Sequence, residues 1–353
     1  MGMTMLEWIR RPVVLTRVAL AAVLANIVIV VTGGAVRLTG SGLGCPTWPS
    51  CTKGSLTPTR EYAIHGIIEF TNRQLTFVLS AVVLATVALA LLQRRQRGLA
   101  VLLAATIPAQ AVLGGITVLT KLNPWLVAAH FLLSMAIIAV AFALWWRLQH
   151  EPAPRLRHEP VPRAADRPGW AGSLRGAALV LVLLTAAVLA IGAVVTGSGP
   201  HAGDKGATRR IDLAPSSVAQ LHADVVMLLI GVTIGFAVLA RAAGASERLQ
   251  RAARILLGVE LAQGVIGFVQ YFTHVPALLV DIHMLGACLV WVSALWVFAA
   301  TGSVVTGSVA TGSVAGTPAH WHEAVDGGAT PGRWDRSGST AATPSLTRQH
   351  GRR

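Results

Sequence analysis

The sequence predicts an all-α polytopic membrane protein, with eight transmembrane helices arranged as two pseudo-symmetric four-helix bundles. Three observations predict it. Of the 353 residues, 54% are hydrophobic and only 12% charged, and the mean hydropathy is +0.62, far more apolar than a soluble chain of this length. Eight apolar windows are each long enough to cross about 30 Å of hydrocarbon as a helix. The second four windows repeat polar landmarks of the first four.

The windows fall at about 14–36, 66–92, 98–119, 125–146, 175–196, 218–240, 254–273 and 277–300. The first follows Arg10, Arg11 and Arg17; it is too long for a signal peptide and lacks a small-residue cleavage site, so it reads as the first span. The second opens on the polar stretch His65 to Arg73, in which His65, Glu69 and Asn72 share one helical stripe by their i, i+4, i+7 spacing. Ionisable groups there are functional suspects. The third and seventh carry the matched pieces Gln110 to Gly115 and Gln263 to Phe268. The fourth is bracketed by Trp125, Trp145 and Trp146, whose rings suit the membrane interface. In the first and fifth, Thr32-Gly33-Gly34 is echoed by Thr196-Gly197-Ser198. The sixth and eighth carry His222 and His283, and His283 follows Gln263 by the interval that separates His130 from Gln110. Past Ala300 the chain becomes Thr-Gly-Ser-Val copies beginning at Thr301, Thr306 and Thr311, from which no core can be built.

The resulting division is residues 1–148, an amino-terminal bundle; 149–172, a Pro-, Arg- and His-rich cytoplasmic linker; 173–300, a carboxyl-terminal bundle; and 301–353, a disordered cytoplasmic tail. The formal net charge of +14 is concentrated in the segments between spans rather than on one face. This is the positive-inside pattern of a multi-pass plasma-membrane protein with both termini cytoplasmic, not a nucleic-acid footprint.

Each even-numbered span carries one histidine near its extracytoplasmic start: His65, His130, His222 and His283. Imidazoles from two facing helices suit the two opposed axial positions of an iron porphyrin. Structural zinc would want a tetrahedral set with cysteine. The residues therefore favour one haem site per bundle, His65 with His130 and His222 with His283. Cys45 and Cys51 lie close together on the oxidising side, where a structural bond shaping a lid and a redox-active pair are both open. Cys288 reads as a packing residue, Gln110 and Gln263 as interhelical glue. Asp224 and Asp281, two residues from histidines, do not share a helical face with them.

The run Gly33-Gly34-Ala35-Val36-Arg37-Leu38-Thr39 through Cys45-Pro46-Thr47-Trp48-Pro49-Ser50-Cys51, together with Glu69 to Arg73, resembles the first extracytoplasmic segment and acidic helix-start motif of haem A synthases. The resemblance covers about residues 14–300. It implies oxidation of the C8 methyl of haem O to a formyl group, for terminal oxidase biogenesis. It also implies a haem b cofactor held by His222 and His283, and a substrate haem facing His130. Glu69 matches the catalytic carboxylate. Many family members read Glu-x-x-His-Arg where this chain has Asn72, so His65 or Asn72 faces the substrate iron opposite His130. Implied partners are haem O, the farnesyltransferase that makes it, an unidentified electron acceptor, and membrane lipid.

Beside the family reading, Glu69 also fits a plain i, i+4 pair with Arg73. Arg37 and Arg73 suit the carboxylates of haem propionates, and Arg37 equally suits interfacial snorkelling. Two rival functions use the same residues: a di-haem electron-transfer cytochrome, which needs neither Glu69 nor the cysteine loop, and a transporter, suggested by the repeat.

Overall fold

The computed structural model describes residues 7, 9, 11–58, 63–151, 169–201, 203, 204 and 209–311. Within them the chain forms eight long helices: α1 (Pro12–Leu38), α2 (Ala63–Leu92), α3 (Arg97–Leu119), α4 (Pro124–His150), α5 (Gly169–Ser198), α6 (Pro215–Ala242), α7 (Glu247–Phe272) and α8 (Ala277–Thr311). All eight are long and apolar enough to cross a membrane.

Local chemistry starts and stops these helices where the windows place them. Proline opens α1, α4 and α6, where its missing N–H costs nothing. Asn123 caps α4 by accepting from the Trp125 N–H at 3.0 Å. Ser246 caps α7 by accepting from Leu249, with Glu247 in the first turn. The α3–α4 turn places Lys121 and Leu122 at positive φ, and the α7–α8 turn does the same with His274 and Val275. These are equivalent positions, 153 residues apart.

Two four-helix rings result. In one, α1 packs on α2 and α4, and α3 on α2 and α4; in the other, α5 packs on α6 and α8, and α7 on α6 and α8. The rings meet through α1, α4, α5 and α8. A Trp291 indole N–H on α8 donates to the Met135 carbonyl on α4 at 2.8 Å, tying them together in the buried centre. Outward faces carry large exposed apolar side chains such as Phe77, Leu84, Val265 and Phe268, as lipid-facing helices require.

The repeat extends to burial. From Asn72 to the end of α2 the buried positions are Leu79, Val83, Thr86 and Ala90, and from His222 to the end of α6 they are Leu229, Thr233, Phe236 and Ala240. Each pair is 150 residues apart, as are the helix ends Leu92 and Ala242. The equivalent of His222 is therefore Asn72, and His65 is equivalent to Pro215.

That register corrects the sequence expectation that His65 and His222 match. Counting from the helix start fails because the preceding loops differ in length. The last span also differs from expectation: α8 continues to Thr311, past the predicted end at residue 300. The predicted tail beyond 311 and the linker over 152–168 lie outside the described residues. Trp146, expected at the lipid interface, is buried, stacks on His150 at 4.1 Å and receives the Arg248 guanidinium over its ring at 4.7 Å.

Candidate functional site

A lid covers one end of the amino-terminal ring. Its frame is the Cys45–Cys51 disulfide, with both cysteines buried. Gly44 lies directly on the His65 carbonyl and the Gly66 nitrogen at the start of α2, and the Trp48 indole lies on Gly115 of α3. A β-carbon at either glycine would overlap those atoms, so close approach explains both.

Arg73 holds the lid down. Its Nη1 donates to the Thr47 and Ser50 carbonyls at 3.0 and 3.3 Å, and its Nη2 to the Cys45 carbonyl at 2.8 Å. Nε and Nη2 donate to Oε1 of Glu69 at 3.1 and 2.5 Å. The other carboxylate oxygen, Oε2, accepts the Cys45 N–H at 2.7 Å. Five contacts fill the five N–H directions of a guanidinium, so Arg73, expected at a propionate, is instead engaged with the lid. Glu69 is buried with one oxygen on Arg73 and the other on the lid backbone. The carboxyl-terminal half has alanine at both equivalent positions, Ala219 and Ala223, and among the described residues no such clamp.

Arg37, the other expected propionate contact, reaches across to the second half. Its Nε donates to the His201 carbonyl at 2.7 Å and its Nη2 to the Thr196 carbonyl at 2.9 Å. Gly42 N–H donates to the Gly203 carbonyl beside it at 2.8 Å, and the His201 Nε2 lies 2.9 Å from the Val275 carbonyl. The lid-side loops of both halves are thus stitched together.

Across the two rings, the three histidines on the shared register are set alike. His130 on α4 packs against Gly114 on α3, His222 on α6 against Gly192 on α5, and His283 on α8 against Gly267 on α7; a β-carbon at each glycine would sit 3.0, 3.1 and 3.4 Å from the ring Cε1. Side chains at Gly114 and Gly192 would press the His130 and His222 rings by a few tenths of an ångström, while one at Gly267 would only touch His283. Gln110 donates to the His130 carbonyl and to Ser134 Oγ at 3.0 and 2.6 Å; Gln263 donates to the His283 carbonyl at 2.5 Å. These are interhelical bonds, as expected of both glutamines. In all three rings Nδ1 is buried without a hydrogen bond, as is Oδ1 of Asn72. The His222 ring also lies near the Val188 backbone, and it is close enough to His283 for their charges to interact.

His65 is placed differently. It sits seven residues above Asn72, about 10 Å along the helix, and its Nδ1 is 2.8 Å from Ser41 Oγ in the lid. Asn72 faces α1, its amide nitrogen 4.0 Å from where a Gly33 β-carbon would lie. The arrangement brings Asn72 into the histidine register and leaves His65 among the lid contacts. Asp281, two residues before His283, points instead at Gly34 on α1.

Orphaned ring nitrogens in an apolar interior call for a partner. Among the described residues no three of His, Cys, Asp and Glu converge as a metal-ion cage, so a bare tetrahedral ion does not fit. Two imidazoles in one ring suit a flat group ligated from its two faces, and His130 offers the other ring one imidazole. A cavity of about 350 Å³ between α4, α5 and α8, lined by Leu132, Met135, Leu189 and Trp291 among others, is apolar and contains none of the four histidines.

Sequence reasoning overlooked the Arg37 bridge to His201 and Thr196, because its acceptors are backbone carbonyls. It also overlooked Glu260, a buried carboxyl on α7; a lone acidic residue in an apolar window was the available signal.

Comparison with known proteins agrees with this layout. Over 138 residues the chain is 29% identical to the heme A synthase of Geobacillus thermodenitrificans, a stretch that is 37% of this chain and 43% of that protein. The chain thus matches less than half of that relative's length. Residues 16–295, reaching from α1 into α8, match the COX15-CtaA family, whose members are described as cytochrome oxidase assembly proteins. With most of its length matched, from residue 16 to residue 295, the chain belongs to the COX15-CtaA family of cytochrome oxidase assembly proteins.

Proposed function

We propose that the protein is a haem A synthase, an oxidoreductase that converts the C8 methyl of haem O to a formyl group. The carrying observation is the inequality of two otherwise repeated sites: His222 with His283 in one ring, Asn72 with His130 in the other, and, among the described residues, a clamped lid over the second alone. Two imidazoles grip a resident haem; one imidazole and a neutral amide grip more loosely, as suits a haem that enters and leaves.

In this account haem b is resident between His222 and His283, where the orphaned nitrogens, the glycine-backed rings and the apolar surroundings fit it. It supplies a one-electron carrier when bound. His130 orients the substrate, Gln110 fixes the height of His130 through its carbonyl, and Asn72 faces the other side of the substrate. His65 steadies the lid through Ser41. Glu69 stands three residues above Asn72 at the lid edge of the site. Oxidising a methyl carbon releases protons, and Glu69 is the carboxylate placed to accept them. Arg73 aims that carboxylate through its two contacts to Oε1.

The protein sits in the plasma membrane with both termini cytoplasmic and the lid outside, by its charge bias. Haem O from its farnesyltransferase is the substrate, and electrons pass to a separate acceptor.

The testing experiment supplies haem O to cells making the protein and identifies the extracted haems. Haem b with haem A supports the synthase. Haem b alone supports an electron-transfer cytochrome, and a colourless protein supports a transporter. In Glu69→Gln, haem b is retained while conversion to haem A falls at least tenfold; full conversion would contradict the role given to Glu69.

A further inference from the structure

We propose that Glu260 and Thr233 form a proton-binding site inside the carboxyl-terminal ring, linked to the charge carried at His222 and His283. Glu260 is 3% exposed in the middle of α7. Its Oε1 accepts from the Thr233 hydroxyl at 2.9 Å, and its Oε2 is buried with no partner. An ionised carboxylate so placed would cost several kcal/mol in a low-dielectric interior. A proton on Oε2 removes that cost.

The site is aligned with the histidine pair. Glu260, Gln263 and Gly267 fall on one stripe of α7 by their i, i+3, i+7 spacing. Gly267 meets the His283 ring, and Gln263 bonds the His283 carbonyl. Thr233 is eleven residues beyond His222, which returns it to the same face of α6. Glu260 therefore lies about 10 Å from the ring level along α7, toward the end away from the lid. The amino-terminal ring has Ile107 and Val83 at the equivalent positions, so the site belongs to the ring with two imidazoles.

Charged and titratable groups on the helices around it do not neutralise it. On α6, Asp224 accepts from Gln220 and Arg241 is exposed near the far end; on α8, Asp281 faces Gly34 of α1. On α7 itself, Arg254 pairs with Glu247, Arg248 covers Trp146, and Arg251 and Tyr271 are exposed. His222, His283 and the buried Cys288 thiol of α8 are the remaining groups, and the two imidazoles are close enough for their charges to interact. In a low dielectric, an electron added at that pair is felt at the carboxyl group, and a proton bound there lowers the cost of the electron.

The linkage rests on the reading that His222 and His283 hold a haem; proton binding by Glu260 does not. Two measurements on the full-length protein therefore separate them. Infrared spectra of the wild type contain a protonated-carboxyl carbonyl band that is lost in Glu260→Gln and shifted in Thr233→Val; an unchanged spectrum in Glu260→Gln would overturn the site. Redox titration of the bound haem gives a midpoint that falls with rising pH in the wild type, a dependence lost in Glu260→Gln; parallel pH profiles would overturn the linkage. A protein without haem would overturn both the linkage and the haem reading, while the infrared band still decides whether Glu260 binds a proton.

Discussion

Replacing Arg73 by alanine should open the lid. The guanidinium makes three contacts to the carbonyls of Cys45, Thr47 and Ser50 and two to Glu69. Its side chain is 22% exposed and that of Glu69 only 7%, so removing it leaves a buried carboxylate held by the Cys45 N–H. Breaking a buried pair in this way costs about 3–5 kcal/mol; the partial exposure of Arg73 favours the lower end, about 3 kcal/mol. Cys45 and Cys51 are 0% and 1% exposed, so a thiol reductant reaches the disulfide only when the lid lifts. If reduction proceeds through that local opening, about 3 kcal/mol raises its rate about 10²-fold. The assay is the rate of dithiothreitol reduction of the purified protein, followed by alkylation and mass spectrometry, with helicity as a control for global folding. A rate within twofold of wild type would refute the clamp.

Other perturbations address separate parts of the account. Gly115→Val drives a side chain into the Trp48 indole and should likewise speed disulfide reduction, by about tenfold for an overpacking cost of about 1–3 kcal/mol, read by the same alkylation assay. Arg37→Ala removes charge-assisted bonds to the His201 and Thr196 carbonyls, each worth about 1.5–3 kcal/mol. It should raise the rate of limited proteolysis in both lid-side loops at once; unchanged cleavage would show that the halves are not coupled there. Asn72→His places an imidazole at the His222 register and should convert the amino-terminal site to a two-imidazole, low-spin haem that exchanges more slowly, visible by electron paramagnetic resonance.

The spans were legible because apolarity is local and eight windows survive any choice of boundary. The repeat was legible in the equal Gln-to-His intervals, Gln110 to His130 and Gln263 to His283. The register of the second and sixth helices was not. His65 and His222 both lie near helix starts, and only the burial of Leu79, Val83, Thr86 and Ala90 against Leu229, Thr233, Phe236 and Ala240 shows that Asn72 is the true counterpart. Arg73 illustrates a different limit: its i, i+4 relation to Glu69 was readable, but its lid contacts are to carbonyl oxygens, which every residue possesses. Glu260 was readable as an anomaly; its partner Thr233, on another helix, required the packing.

The central claim is that the two rings hold unequal haem sites, and selective loss of haem tests it most directly. Haems extracted from purified His283→Ala and His130→Ala variants should differ: the first loses haem b and retains farnesylated haem, and the second retains haem b and loses the farnesylated haem. Equal loss of all haems from both variants, or loss of haem b from His130→Ala alone, would contradict the assignment of resident and substrate haem to the two rings.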